Sequence, residues 1–307
     1  MRQYLDQLQY ILDHGEHHND RTGVGTKSVF GMQVRYDLRQ GFPLMTTKKV
    51  SFKNVIVELL WFLRGDTNIQ YLVQHDVKIW NEWAYQIYLE DNKLIDQYPR
   101  YSDSWRVRMQ EFVEQVKTDD AFAKKYGELG PIYGKQWRRW LSASGEEIDQ
   151  IAGVIELLKT DPGSRRIIIS GWNVGEIQDL IRNHHHAPPS CHTIFQFKVT
   201  NKFLDLQLYQ RSADMALGVP YNVASYAALL MIIAQQTGFT PRHFIHSFGD
   251  AHIYLNHIDG VKEQLTRQPK TLPQLTIANK PIDDLVYEDF TLTGYDPDPA
   301  IKFQIAV

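Results

Sequence analysis

Residues 222–237 constrain the fold of this chain more than any other segment. Their side chains are apolar on nearly every side of a helical projection, and Gly238 follows the last of them. A helix of this kind is stable in water only when other elements cover it, and glycine commonly ends a helix. Its longest fully apolar run, residues 227–234, is shorter than the roughly 18 residues that a membrane helix needs. We therefore predict a buried core helix and no membrane segment.

The segments around this helix mix helical and strand patterns. Ser51 can cap a helix over residues 51–64, and an amphipathic helix within residues 1–20 should stop near Gly15. Strand patterns occupy residues 166–170, 193–200, 203–210, 243–248 and 285–292. The second and third of these predict a hairpin. Because helices and strands are mixed rather than strictly alternating, we predict an α+β fold with a mixed sheet covered by helices.

We interpret residues 1–307 as one catalytic domain. Residues 84–129 differ from the rest because they are rich in charge and tyrosine, and residues 106–116 can form a helix. We predict that residues 84–129 form a small, peripheral helical insertion.

Charge and cysteine content exclude several classes of protein. The chain has 33 Lys and Arg against 36 Asp and Glu, and it contains no long basic run. Nucleic acid is therefore not expected as a primary partner. Cys191 is the only cysteine, so neither an intrachain disulfide nor a multi-cysteine metal site can form. Three consecutive rings at His184–His186 rarely point at one ion, and we predict no metal. No secretory signal is visible, and we expect a cytoplasmic protein.

Cys191 and Glu58 each leave a structural and a chemical interpretation open. Cys191 opens a predicted strand after a proline-rich loop, and it is either a packed core residue or a nucleophile activated by nearby positive charge. Glu58 stands among the apolar residues of a predicted helix, where a carboxylate is costly without a partner. It is either paired with a structural partner such as a buried arginine or used to relay protons.

Several arginines have small or polar neighbours. They are Arg21, Arg165, Arg166 and Arg211. Each is either a surface ion-pair partner or, if the four converge, part of a cage for a phosphate dianion. The chain has no glycine-rich phosphate-binding motif.

Ten ordered motifs make the chain resemble the thymidylate synthase family. They are DRTGVGT at 20–26, TTKK at 46–49, ELLWFLRGDTN at 58–68, IWNEW at 79–83, GPIYGKQW at 130–137, DPGSRR at 161–166, SCH at 190–192, QRSAD at 210–214, LGVPYN at 217–222 and GDAHIY at 249–254. The resemblance covers the chain outside residues 84–129, where long forms of the family carry an insertion.

The resemblance implies reductive methylation of dUMP to dTMP with 5,10-methylenetetrahydrofolate. The catalytic residues that it implies are Cys191, Glu58, Tyr133, Arg211 and Asn222. The dUMP contacts that it implies are Arg21, Arg165, Arg166, Arg211, Ser212, Ala213, Asp214, Asn222, His252 and Tyr254. The folate contacts that it implies are Lys48, Trp80, Trp83, Asp214, Leu217, Gly218, Tyr221 and Ala306. It also implies a homodimer in which Arg165 and Arg166 reach the partner's site.

Three other functions remain to be weighed. A dCMP hydroxymethylase would use the same thiol addition, but a cytosine reader should prefer a carboxylate at Asn222. A Cys–His hydrolase would need His192 as its base, although adjacent strand residues point to opposite faces. An RNA-binding role conflicts with the net charge of −3.

Overall fold

The computed structural model describes residues 1–19, 23–182 and 187–304. The helices are α1 (Arg2–His14), α2 (Phe52–Leu63), α3 (Gln70–Gln74), α4 (Asn81–Asp91), α5 (Asp103–Thr118), α6 (Asp120–Tyr126), α7 (Tyr133–Arg138), α8 (Gln150–Thr160), α9 (Val174–Arg182), α10 (Gly218–Thr237) and α11 (Ile258–Leu265). The strands are β1 (Glu16–His18), β2 (Thr26–Asp37), β3 (Trp140–Leu141), β4 (Glu147–Ile148), β5 (Ile168–Ser170), β6 (His192–Thr200), β7 (Phe203–Asp214), β8 (Thr240–Tyr254), β9 (Gln274–Ile277) and β10 (Phe290–Thr293).

Contacts divide the chain into two compact units. The first unit comprises Met1–Ile56, Gly153–Ile169 and Cys191–Val307, and the second comprises Val57–Ala152 and Ser170–Ser190. The assignment of residues 1–307 to a single domain, with an insertion at 84–129, stays a prediction.

A mixed sheet forms the centre of the first unit. Within the described residues its strand order is β1-β2-β8-β7-β6-β5. β7 and β8 run parallel, whereas β2 pairs antiparallel with β8 and β6 pairs antiparallel with β7. The predicted hairpin is confirmed, since Thr200 pairs with Phe203 and Asn201 takes a positive φ of 56° in the turn. The α+β architecture with a mixed sheet covered by helices is confirmed.

Helix α10 is the predicted core helix. It contacts β7 and β8, and Gly238 ends it in the left-handed region at φ 75°. The helix begins at Gly218 rather than at residue 222, because the chain turns into it directly after the end of β7. Its length and composition would suit a membrane span, but 72% of its apolar window is buried inside the protein. That burial is typical of a core helix.

Several predicted strand limits were wrong. β7 and β8 extend beyond residues 210 and 248, because the backbones of these parallel neighbours stay paired through a polar stretch as far as Asp214 with His252. In the segment 285–292, Tyr287–Asp289 form a 3-10 turn, and only residues 290–292 belong to a strand, β10. β2 was missed because the exposed Phe30 interrupts the alternation of polar and apolar residues, and because Gly31, which takes a positive φ, follows it.

Helices dominate the second unit, including the segment 84–129. Ser102 Oγ caps α5 by accepting a hydrogen bond from Trp105 N at 3.2 Å. α4, α5 and α6 then enclose an aromatic cluster, in which the Tyr85 ring lies 5.3 Å from Trp105 and 5.4 Å from Phe112. The helical character predicted for residues 106–116 is confirmed and extends over Asp103–Thr118.

Candidate active site

Sheet pairing brings the cysteine and one arginine of the candidate site together in the first unit. Cys191 directly precedes β6, and its carbonyl oxygen accepts a hydrogen bond from Arg211 N on β7 at 2.9 Å. Gly249 on β8 makes room beside this pair, because a Cβ at that position would lie 2.8 Å from Arg211 O. The backbone therefore fixes Cys191 and Arg211 as neighbours, and a cationic guanidinium is the kind of group that favours a thiolate.

His192 is unsuited to act as a base for Cys191. Its side chain is buried, and burial lowers its pKa to about 4, although a hydrogen bond with Asn222 acts in the opposite direction. At neutral pH the ring is uncharged and has little tendency to accept a proton. This removes the main residue that a Cys–His hydrolase would need.

A buried network of amides orients Asn222. His246 Nε2 donates to Gln210 Oε1 at 2.9 Å, and burial holds the pKa of His246 well below its usual value. Gln210 Nε2 in turn donates to Ser212 O at 3.0 Å and to Asn222 Oδ1 at 3.2 Å. Because the Asn222 oxygen accepts this bond, its NH2 group is the part of the amide that can donate to a ligand.

Sequence reasoning missed Gln210 and His246 as members of this network. Both lie inside strands, where their side chains looked like ordinary sheet residues. The detectable signal was that each polar side chain falls in the alternating row of apolar residues on the buried face of its strand, where it needs a buried partner.

The carboxyl ends of β7 and β8 carry three of the residues expected at dUMP, namely Asp214, His252 and Tyr254. Asp214 pairs with His252 in the parallel register. The rings of His252 and Tyr254 lie 5.1 Å apart on one face of β8, as their spacing predicts. His252 Nδ1 lies 3.1 Å from Asp250 Oδ1, which orients the imidazole.

Asp214 organises the turn into α10. Its Oδ1 accepts hydrogen bonds from Ala216 N and Leu217 N, both at 3.0 Å. Burial alone would raise the pKa of Asp214, but the nearby His257 ring and the hydrogen bond from the Leu217 N–H outweigh it and hold the pKa below its usual value. Leu217, Gly218 and Tyr221, which were expected at the folate, follow directly on this turn and in the first turn of α10.

Lys48 carries a buried ammonium group. Its Nζ donates to Ala216 O and lies 4.5 Å from the centre of the Phe303 ring. Burial lowers the pKa of Lys48 to about 8, while the charge of Asp214 acts to raise it. A largely protonated lysine with little exposure is a suitable partner for an anionic ligand group.

Arg165 and Arg166 lie exposed just before β5. Gln196 Nε2 donates to Arg165 O at 3.1 Å, and Arg166 N donates to Ser164 Oγ at 3.3 Å. These contacts fix the backbone and leave both guanidinium groups on the surface. Ala213, also expected at dUMP, is fully buried in β7.

The second unit holds four of the expected residues, Glu58, Trp80, Trp83 and Tyr133. Glu58 Oε1 accepts a hydrogen bond from Trp80 Nε1 at 2.8 Å. The Trp80 ring lies 5.9 Å from Trp61 and 6.1 Å from Tyr133. Burial raises the pKa of Glu58 to about 7, although the bond from Trp80 acts to lower it. The partner of Glu58 is thus an indole rather than the buried arginine considered from the sequence. Trp83 lies one turn further along, in α4.

Several predicted positions lie outside the described residues. They are Arg21, Ala306 and the three histidines His184–His186. Within residues 1–19, 23–182 and 187–304, no group of three or more His, Cys, Asp or Glu side chains is arranged to hold a metal ion.

Comparison with known proteins decides the family. The thymidylate synthase family model matches residues 2–307. The chain belongs to the thymidylate synthase family. A thymidylate synthase of Listeria monocytogenes serotype 4a (strain HCC23) is 50% identical over 320 aligned residues, and that of Listeria innocua serovar 6a (strain ATCC BAA-680 / CLIP 11262) is 51% identical. Both alignments cover 100% of this chain and of the relative. The chain is therefore an enzyme of the thymidylate synthase type, and this family methylates dUMP to dTMP.

Proposed function

We propose that this enzyme converts dUMP to dTMP by covalent addition of Cys191 to C6 of uracil, with 5,10-methylenetetrahydrofolate as the donor. One observation carries the proposal: the sheet holds Cys191 beside Arg211 while the Gln210 network orients Asn222 in the same unit. A nucleophile, a cation and an oriented amide donor are the groups that the chemistry requires.

The Cys191 thiolate would begin the reaction. Its sulfur forms a bond to C6, and the electron pair of the C5–C6 double bond moves towards O4, which makes C5 nucleophilic. The Asn222 NH2 group would donate to O4 as negative charge develops there. After C5 has gained its carbon substituent, Tyr133 would help to remove the C5 proton, and Glu58 would move protons at O4. Cys191 leaves C6 with its bonding electrons when the product forms.

A Glu58 pKa of about 7 supports its role in proton transfer. Near neutral pH, its protonated and ionised forms are both populated, so the carboxyl group can give and take a proton at small cost. A carboxylate of ordinary pKa would be almost entirely ionised under the same conditions.

The side-chain chemistry of the residues expected at the folate suits that ligand. A buried ammonium beside the Asp214 turn can pair with the anionic tail, and Trp80 and Trp83 offer flat faces for ring stacking. Leu217, Gly218, Tyr221 and Ala306 complete the proposed folate set. Bound methylenetetrahydrofolate supplies both the one-carbon unit and the hydride, and it leaves as dihydrofolate.

Phosphate and ribose contacts complete the proposal for dUMP. Arg21, Arg211 and Ser212 would bind the phosphate, and Ala213 and Asp214 would adjoin the nucleotide. His252 and Tyr254 would bind the ribose. Arg165 and Arg166 would act from the partner subunit of a cytoplasmic homodimer, and their exposure on the surface supports that role.

The alternative functions receive less support. A dCMP hydroxymethylase would meet the amino group of cytosine with an acceptor, whereas the Asn222 oxygen is already engaged by Gln210. Turnover of dCMP above that of dUMP would favour this alternative. A Cys–His hydrolase is opposed by the low pKa of His192, and hydrolysis of ester substrates would revive it. Tight RNA binding at physiological salt would revive the third alternative.

Intact-protein mass spectrometry tests the covalent step. Wild-type protein trapped with 5-fluoro-dUMP and methylenetetrahydrofolate should gain the mass of both ligands. C5 then carries fluorine in place of hydrogen, so the proton whose removal lets the reaction proceed is missing and the adduct persists. The Cys191→Ala variant should gain neither. An adduct on the variant, or on a peptide without Cys191, would contradict the assignment.

A further inference from the structure

The ring of Phe303, near the end of the described chain, packs against the ammonium group of the buried Lys48. Lys48 is 4% exposed, and the centre of the Phe303 ring lies 4.5 Å from its Nζ. The face of an aromatic ring carries negative electrostatic potential and attracts an ammonium group at this distance. The same Nζ donates to Ala216 O. Phe303 and the backbone of the Asp214 turn therefore hold the ammonium between them.

The Phe303 ring occupies a space that exists because residue 260 is glycine. A Cβ on Gly260, in α11, would lie 2.6 Å from Phe303 Cε1 and 3.2 Å from its Cζ. The His257 ring lies 4.9 Å from Phe303 on another side, and His257 Nε2 donates to Gln304 O at 2.6 Å. The packing of the Phe303 ring and the hydrogen bond to Gln304 O thus fix residues 303–304 to α11 and to the turn before it.

These contacts continue to Asp214. Ala216, which accepts from Lys48, also donates its N–H to Asp214 Oδ1. His257 Nδ1 lies 3.8 Å from the same Asp214 oxygen. Phe303 therefore supports, through Lys48 and through His257, both charged residues that stand beside the start of α10.

We propose that Phe303, seated against Gly260, is a positioning residue that holds the Lys48 ammonium in place to receive the anionic tail of the folate. The ligand in this proposal rests on the proposed function, whereas the positioning of Lys48 does not. Leucine at position 303 would fill much of the space but would present no π-face. Pentafluorophenylalanine would keep the ring shape while reversing the potential of its face.

Amine labelling of the ligand-free protein tests the positioning. Peptide mass spectrometry would follow acylation of Lys48 by acetic anhydride, with exposed lysines such as Lys93 as internal references. We expect Phe303→Leu, and pentafluorophenylalanine at position 303, each to raise the Lys48 rate about fivefold or more relative to those references. An unchanged rate in both variants would overturn the proposal.

Gly260→Ala provides an independent test, because its methyl group must displace the ring. We expect it to raise the Lys48 rate as Phe303→Ala does, and the double variant Gly260→Ala with Phe303→Ala to equal Phe303→Ala alone. Additive effects in the double variant would show that the two residues act separately. They would overturn the claim that Gly260 acts on Lys48 through the Phe303 ring.

Equilibrium binding of tetrahydrofolate to the dUMP complex tests the ligand. Tetrahydrofolate lacks the methylene carbon, so calorimetry reads affinity without turnover. We expect Phe303→Leu to weaken binding about fivefold to tenfold and to leave dUMP binding unchanged. Faster labelling with unchanged folate affinity would overturn the folate part of the proposal. If Lys48→Met also left the affinity for tetrahydrofolate unchanged, Lys48 would not bind the folate, and the proposed folate site would be wrong rather than the positioning by Phe303.

Discussion

The thiol of Cys191 is the residue on which the proposed chemistry depends. Cys191→Ser keeps the size of the side chain and its backbone bond to Arg211, but an alcohol is a far weaker nucleophile than a thiolate. We expect turnover to fall by at least about a thousandfold, while the dissociation constant for dUMP stays within about threefold. Single-turnover kinetics and calorimetry would measure the two. Near-normal turnover in the variant would contradict the nucleophile assignment.

Glu58 should make stability depend on pH in a specific direction. Burial raises its folded pKa from 4.5 to about 7, so the folded protein binds this proton more tightly than the unfolded chain does. The resulting stabilisation is fully present below pH 4.5 and is lost as pH rises towards 7. Glu58→Gln cannot ionise. We therefore expect the variant to gain about 3 kcal/mol relative to wild type between pH 4.5 and 8, as measured by urea unfolding at fixed protein concentration.

Trp80→Phe is the matched control for this pH effect. It removes the indole N–H, which acts to lower the pKa of Glu58, and keeps an aromatic ring. The loss of stability should then continue to higher pH than in wild type. A pH dependence that is identical in wild type, Trp80→Phe and Glu58→Gln would contradict the account of Glu58.

Individual residues also show where sequence reasoning ends. The partner of Glu58 is 22 positions away in the chain, so a helical pattern could reveal a buried carboxylate but not the indole that meets it. Lys48 and Phe303 are joined only by the fold. By contrast, Ser51 could be predicted as a helix cap because its partner is only three residues away. Asn54 N donates a hydrogen bond to Ser51 Oγ at 3.3 Å.

At the level of elements, the close pairing of β7 and β8 requires Gly249. A Cβ there would lie 2.7 Å from Tyr209 Oη and 2.8 Å from Arg211 O, so the strands must move apart beside Arg211. We expect Gly249→Ala to lower the free energy of unfolding by about 1–3 kcal/mol and to reduce turnover. Urea unfolding and steady-state kinetics would measure both effects.

Gly153→Ala is the matched control for Gly249. Gly153 lies within α8, and a Cβ there meets nothing within 4 Å. The substitution should stabilise the protein by about 0.5–1 kcal/mol, because alanine has the higher helix propensity. Equal destabilisation by both substitutions would show that backbone contact at Gly249 is not the cause.

The elements that could be predicted are those with a local signal. Helix α2 has its cap and its periodic apolar residues, and the β6–β7 hairpin has short, regular alternation on either side of a two-residue turn. The true ends of β7 and β8 could not be predicted, because the pairing of Asp214 with His252 joins segments separated by the whole of α10. Segment 285–292 shows that alternation alone cannot distinguish a strand from a 3-10 turn.

At the level of the whole molecule, the proposed sharing of sites between subunits can be tested by mixing variants. Arg166→Ala and Cys191→Ala should each be nearly inactive. After subunit exchange, half of the dimers combine the two chains, and each such dimer contains one intact site. Activity should therefore recover to about a quarter of the wild-type value.

The control mixture combines Cys191→Ala with Asn222→Ala. Cys191 and Asn222 are proposed to serve the same site from one chain, so every site in the mixed dimer lacks one of them and activity should not return. Recovery in the control, or none with Arg166→Ala once exchange is verified, would contradict the proposed geometry.

The reaction itself is the most direct test of the central claim. Purified protein would be mixed with dUMP and 5,10-methylenetetrahydrofolate, with dTMP followed by chromatography and dihydrofolate by its near-ultraviolet absorbance. The account predicts one dihydrofolate for each dTMP, and neither product when either substrate is omitted. Formation of a hydroxymethylated nucleotide without dihydrofolate, or preference for dCMP over dUMP, would contradict it.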